Sequence, residues 1–211
     1  MPRLAFLLPF ILTLSCATKS IHLSPSTPPT IDIKGVISLL YPSGGTGHAC
    51  PCDNAIYTAR HIIQSKNMMG SYNLDSPAEK FTWQDGYGNS GVAEGITYNE
   101  YKDLGQIKIR IDTTATPTYT FYTQAPTLPE PGEKITWVEY NEKDFFNTKK
   151  EAKVRYYFAG YVFFDKLPTP GASGSCIFNS KGEVIGVIVW GVIRSSQRSG
   201  VGALLDPKFE R

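Results

Sequence analysis

Pro170-Gly171-Ala172-Ser173-Gly174-Ser175-Cys176-Ile177-Phe178 is the stretch on which the reading of this chain turns. Small residues crowd around Ser173, and Gly171 and Gly174 supply backbone freedom that a residue with a Cβ lacks. The bend runs straight into the strand-like Cys176-Ile177-Phe178, so the Ser173 hydroxyl projects from a tight turn. A nucleophile is presented in this way, and so are many inert serines. The meaning of the turn therefore depends on whether a base and a carboxylate stand upstream in suitable settings.

The surrounding chain has 211 residues and a formal charge of +2, long enough to bury a sizeable core and too balanced to indicate a partner. Lysine and arginine are interspersed with acids and form no dense basic stripe, which argues against nucleic acid as a partner. Tyrosine, phenylalanine, threonine, glycine and proline are plentiful, which favours short strands and turns over helices. Strand signals occur at Ile31 to Tyr41, Ala55 to Thr58, Phe81 to Trp83, Val92 to Tyr98 and Ile107 to Ile111, the last in period-two alternation. After the proline-rich stretch 125–131 they resume at Ile135 to Tyr140, Val154 to Phe164, Cys176 to Phe178, Val184 to Trp190 and Val201 to Leu205. No convincing amphipathic helix interrupts them. The pattern predicts an all-β protein of two antiparallel units, 31–124 and 132–211, joined by 125–131.

The first 30 residues read differently. Arg3 and the apolar run Leu4 to Leu14, too short to span a bilayer comfortably, predict an export leader over 1–17. Leu12-Thr13-Leu14-Ser15-Cys16 resembles a bacterial lipobox, which would make Cys16 a lipidated mature N-terminus and anchor the protein to a membrane. Cleavage after Ala17 is the competing site. Residues 18–30, with Ser24-Pro25-Ser26-Thr27-Pro28-Pro29-Thr30, have the composition of an extended tether. Export would place the protein in the cell envelope or outside the cell.

Three histidines are available as the base. His22 lies in the tether, and His48 stands on a strand beside Cys50 and Cys52, where it reads as a core residue or a ligand. His61 closes the strand Tyr57-Thr58-Ala59-Arg60-His61 at a strand-to-turn junction, where a side chain can face a cleft. Asp103 enters an apolar strand through Leu104-Gly105, which predicts a half-buried carboxylate in need of a hydrogen-bond donor. An imidazole is such a partner; the alternative is an aspartate that caps a local turn.

Taken as an ordered set, His61, Asp103 and Ser173 resemble the chymotrypsin-like (trypsin-like) serine peptidases of the shorter bacterial and viral type. Thr58-Ala59-Arg60-His61 is similar to that family's Thr-Ala-x-His, Asp103-Leu104-Gly105 to its Asp-Leu/Ile-Ala, and Gly171-Ala172-Ser173-Gly174 to its Gly-x-Ser-Gly. Gly45-Thr46-Gly47, Pro131-Gly132-Glu133 and Val189-Trp190-Gly191 also stand where the family has their counterparts. The resemblance covers residues 31 to about 206 and implies two six-stranded antiparallel β-barrels with the active site in the cleft between them. It implies a Ser173 nucleophile, a His61 base, an orienting Asp103, an oxyanion hole from the N–H groups of Gly171 and Ser173, no cofactor, and a protein or peptide substrate.

Departures from the family pattern carry information too. Ala172 replaces the aspartate with which zymogen-type members bind a freshly cut N-terminus, so activation by that salt bridge is excluded. Val189 replaces a serine that supports the catalytic aspartate in many members. Leu167 aligns with the base of the specificity pocket, with Trp190, Gly191 and Gly200 around it, which implies an uncharged, apolar substrate side chain; a small shift of alignment would bring Asp165 there instead. Lys149, Lys150, Lys153 and Arg155 read as a solvated basic loop. A bridge between Cys50 and Cys52 would be strained, and with His48 the pair lacks a full metal-ligand set. Because the family brings these segments together, the resemblance implies that Cys176 lies near one of the two. A non-catalytic binding module and an esterase on the same site are the rival readings, and oligomeric state is open.

Overall fold

A computed structural model describes residues 31–40, 46–64, 80–99, 101–111, 121–141, 146–194 and 197–205. The expected leader, tether, Cys16 and His22 lie outside these residues, as does Gly45. Within them the chain is almost entirely β, as its composition implies.

The first barrel is formed by β1 (Ile37–Leu40), β2 (Thr46–Cys52), β3 (Ala55–Thr58), β4 (Lys80–Gln84), β5 (Ser90–Tyr98) and β6 (Gly105–Ile111), closed in the order β1-β2-β3-β6-β5-β4. The second is formed by β7 (Lys134–Asn141), β8 (Phe146–Phe158), β9 (Tyr161–Phe164), β10 (Cys176–Phe178), β11 (Val184–Arg194) and β12 (Gln197–Leu204), closed in the order β10-β11-β12-β9-β8-β7. All these strand pairs are antiparallel. Closure satisfies the strand edges that an open sheet leaves unpaired. Alternation then sorts the side chains: along β6, Ile107 points inward while Lys108 and Arg110 point to solvent.

Two details differ from the sequence expectation. Val154 to Phe164 is two strands, because Ala159 and Gly160 adopt φ of 47° and 77° and reverse the chain between β8 and β9. Two consecutive left-handed residues make the tight hairpin turn whose twist matches that of the flanking strands. A run of apolar residues does not reveal such a turn when its first residue is alanine. The basic residues Lys149, Lys150, Lys153 and Arg155 lie on β8, facing outward, and not on a loop.

The core of the first barrel, with Ile37, Leu39, Phe81, Trp83 and Ile107, is continuous with Phe178, Val187 and Val201 of the second. A second cluster fills the other barrel around Ile135, Trp137, Phe164, Ile177 and Ile188. The crossing segment is stitched to both units: Tyr122 N–H donates to Pro51 O at 3.1 Å, and Ala125 N–H to Val184 O at 2.8 Å. A disulfide joins Cys50 on β2 to Cys176 on β10, with Cα atoms 4.9 Å apart. It closes a loop of 126 residues and ties the barrels beside the Ser173 turn. Cys52 is a buried free thiol that burial pushes up to about 12, so it is inert at neutral pH.

Cross-linking residues so far apart in sequence restricts the unfolded chain strongly. Replacing both Cys50 and Cys176 by serine is expected to lower unfolding free energy by roughly 2–5 kcal/mol, read from urea denaturation midpoints. A midpoint unchanged by the double substitution would show that the bridge contributes nothing.

Candidate active site

The Ser173 turn is shaped by its glycines. Ala172 N–H donates to Thr169 O at 3.1 Å, with Pro170 second and Gly171 third at φ +92°. This is the type II turn, in which proline presets the second position and glycine supplies the positive φ of the third. Gly174, at φ +86°, lies against β2, where a Cβ would collide with the His48 carbonyl and stand 2.5 Å from Thr58 Oγ1. Its absence allows β2 and the turn to meet directly, with His48 N–H donating to Ser173 O at 2.7 Å. Thr58 Oγ1 donates to His48 O at 2.7 Å and braces the same strand.

The two serines of the motif are separated by their environments. Ser175 is buried, and its hydroxyl donates to Val138 O at 2.7 Å. The Ser173 hydroxyl lies 3.0 Å from His61 Nε2, with Val189 O as a longer alternative acceptor at 3.5 Å.

His61 sits on the short helix α1 (Arg60–Ile63), a single turn where the sequence suggested only a junction. Burial of Ile62 and Ile63 holds one side of that turn. Arg60 holds the other: Nε donates to Gln64 Oε1 at 2.8 Å, Nη1 to Asn99 O at 3.1 Å, and the guanidinium lies 4.0 Å from the Tyr98 ring centroid. Thus the imidazole is left half-exposed at the barrel junction while its backbone is fixed.

Asp103 faces His61 through both carboxylate oxygens. Oδ2 lies 2.7 Å from His61 Nδ1, and Oδ1 accepts the His61 backbone N–H at 2.9 Å. The side chain is only 3% exposed, so the expected half-burial is corrected to full burial. Glycine at position 105, two residues on, leaves space that the Ile63 side chain fills. With Nδ1–H donating to Asp103, Nε2 carries the lone pair and can accept from Ser173. Support for the aspartate comes from a residue the sequence reading missed: Tyr161 Oη, from the second barrel, accepts the Asp103 backbone N–H at 2.9 Å. A tyrosine that opens a strand gives no local signal of such a role.

Gly171 and Ser173 N–H donate to no protein acceptor among the described residues, and they lie in the turn that carries the Ser173 hydroxyl. Leu167 lies against Gly191, where a Cβ would stand 2.5 Å from Leu167 Cδ2. Gly191 pairs with Gly200 across β11 and β12, and Trp190, 37% exposed, follows Val189 on the same strand. The four residues expected around the pocket are therefore neighbours. Asp165, the competing carboxylate, is engaged elsewhere, since Oδ1 accepts the Lys153 N–H at 2.8 Å.

His48 is fully buried, and its Nδ1 lies 2.8 Å from Gly171 O. It lies in the core of the first barrel beside Cys50, which is in the disulfide. Desolvation pushes its pKa from 6.5 down to about 4, against the weaker pull of the Gly171 carbonyl and the Glu139 charge.

No protein-family model matches the chain. Solved structures do. The human pathogenic astrovirus serine protease is 17% identical with a TM-score of 0.62, over 86% of this chain and 96% of that one. The serine endoprotease from Yersinia pestis is 14% identical with a TM-score of 0.63, over 82% of this chain and 59% of that one. A protein from M. tuberculosis, solved as a mutant in an inactive form, is 13% identical with a TM-score of 0.60 over 82% of both chains. At such identities the likeness is one of fold: the chain has the chymotrypsin-like double β-barrel.

The buried neutral His48 has a consequence for acid stability. Its folded pKa lies below the unfolded value, so its contribution is complete above about pH 6.5 and is lost as pH falls toward 4, on the order of 3 kcal/mol in all. Urea unfolding between pH 7 and pH 4 is expected to show that slope in the wild type, and the slope is expected to shrink in His48→Asn. Identical slopes in the two proteins would contradict a neutral His48.

Proposed function

We propose that this chain is an exported serine endopeptidase that cleaves peptide bonds through an acyl-enzyme on Ser173. The observation that carries the reading is the relay from Ser173 Oγ to His61 Nε2 at 3.0 Å and from His61 Nδ1 to Asp103 Oδ2 at 2.7 Å. A serine hydroxyl becomes a competent nucleophile when a base takes its proton, and histidine is the side chain whose ordinary pKa suits that task near neutrality. Two of the solved neighbours are a serine protease and a serine endoprotease, which supports the same reading.

In the proposed reaction Ser173 Oγ bonds to the substrate carbonyl carbon while its proton passes to His61 Nε2. The carbonyl electrons move onto the oxygen, which accepts hydrogen bonds from Gly171 and Ser173 N–H. Each such donor contributes roughly 2.7–4 kcal/mol of transition-state stabilisation. Collapse breaks the carbon–nitrogen bond, and His61 returns its proton to the leaving amine. Water, deprotonated by the same imidazole, then attacks the acyl carbon and releases the acid with Ser173 restored. Asp103 stays ionised throughout, holding the His61 tautomer and favouring the imidazolium.

Leu167, Gly191, Gly200 and the flank of Trp190 offer apolar surface and no carboxylate, which suits an uncharged, apolar residue before the cut bond. Export is supported by the Cys50–Cys176 disulfide, since such bridges persist in oxidising compartments. Anchoring through a lipidated Cys16 would then hold the barrels at a membrane surface; a mature N-terminal peptide with the mass of an unmodified residue 18 would exclude it.

A library of peptides derived from a proteome tests catalysis and specificity together. Cleavage is expected after apolar residues, and Ser173→Ala is expected to abolish it with the far-ultraviolet spectrum unchanged. Turnover that persists in Ser173→Ala would sink the assignment, and cleavage after lysine or arginine would sink the pocket. Asp103→Asn is expected to lower kcat on the order of 10⁴-fold, because the amide favours the wrong imidazole tautomer.

A further inference from the structure

The Thr169–Ala172 turn is held from both barrels by side chains that the reaction itself does not use. Glu139, on β7, is a carboxylate only 2% exposed. Its Oε1 accepts Trp137 Nε1–H at 2.8 Å and Thr169 N–H at 2.9 Å, its Oε2 accepts Thr169 Oγ1–H at 2.8 Å, and Lys150 Nζ stands 4.0 Å off. Thr169 is the first residue of the turn, and its carbonyl receives the Ala172 N–H. From the other barrel, His48 Nδ1 reaches the Gly171 carbonyl at 2.8 Å. The Gly171–Ala172 peptide plane is thereby pinned at both ends, its oxygen on His48 and its N–H on Thr169. That plane lies between the two amides that flank Ser173.

Each hold has a cost that the fold alone does not require. His48 Nε2 is buried with no hydrogen-bond partner, which an apolar residue in the same place would avoid. A buried carboxylate costs solvation that only full hydrogen bonding offsets. What these residues supply in return is a fixed turn. The central peptide of the turn, Pro170–Gly171, carries the Gly171 N–H, and the held groups, Thr169 and the Gly171–Ala172 plane, stand on either side of it. Ala172 is buried with a methyl as its side chain, and Pro170 has no N–H, so the turn has few polar handles of its own.

We propose that His48 and Glu139 are positioning residues that clamp the Thr169–Ala172 turn between the two barrels and keep the Gly171 and Ser173 N–H groups aimed at one point beside Ser173 Oγ. The proposal rests on the acyl-transfer reading above. It adds that the oxyanion site is preassembled by internal hydrogen bonds that span the two barrels.

Two kinds of variant test it. His48→Ala and Thr169→Val each remove one hold; Thr169 is exposed, and valine keeps its shape and its N–H. His48→Asn and Glu139→Gln are conservative, because an Asn amide can place a donor near the Nδ1 position and Gln can still accept both N–H groups and donate to Thr169 Oγ1. The first pair is expected to lower kcat about 10- to 100-fold with KM changed by less than about threefold, and the second pair to recover most of the loss. Amide hydrogen exchange of Ala172, whose N–H is bonded to Thr169 O, followed by nuclear magnetic resonance, is expected to quicken about tenfold or more in the first pair only. Wild-type kcat and wild-type exchange in both members of the first pair would overturn the proposal. If His48→Ala does not fold, Thr169→Val decides by the same criteria. A wild type that cleaves no peptide, with amides that still loosen in Thr169→Val, would overturn the peptidase reading and leave the clamp standing.

Discussion

The rest of the site depends on how closely β2 approaches the Ser173 turn. At Gly174 a hydrogen stands where a methyl group would strike the His48 carbonyl. Because that space is free, His48 N–H reaches Ser173 O, Cys50 reaches Cys176, and the cores of the barrels run together. Moving the two barrels apart by the width of a methyl group would break these links together. It would also separate Ser173, on the second barrel, from His61 and Asp103, on the first.

Dividing Ser173 from His61 and Asp103 between two barrels makes their distances a property of the interface, and the interface is accordingly over-determined. Tyr161 reaches across to Asp103, and the crossing segment pairs with strands of both units. Fixed positions of this kind let hydrogen bonds favour a transition state without reorganisation during the reaction. Burial serves the same end at Asp103, which is all but closed to water and meets His61 with both oxygens.

Much of this was legible in the residues. Short β-branched and aromatic runs broken by glycine and proline gave the all-β class, and period-two alternation in Ile107 to Ile111 marked an inward and an outward face. Ser173 stood out from Ser175 because glycines flank it on both sides, and the geometry separates the two for a related reason: Ser175, past the second glycine, turns inward to Val138 O. What escaped were roles created by contacts distant in sequence. Tyr161 and Glu139 sit in ordinary strand settings, and only barrel closure brings them to Asp103 or to Thr169 at the start of the turn. His48 was visible as a core or ligand histidine, but its bond to Gly171, 123 residues away, has no local signature. The degree of burial of Asp103 was missed for the same reason, since residues remote in sequence, Tyr161 among them, pack around it.

The most direct measurement of the central claim is the site and rate of reaction with a fluorophosphonate, which phosphonylates a serine whose proton is taken by a neighbouring base. Peptide mass spectrometry after incubation at neutral pH is predicted to place one adduct per chain on Ser173, with none on Ser175 and labelling lost in a folded His61→Ala variant. An unlabelled wild-type protein with an intact β spectrum, or an adduct on any other serine, would contradict the account.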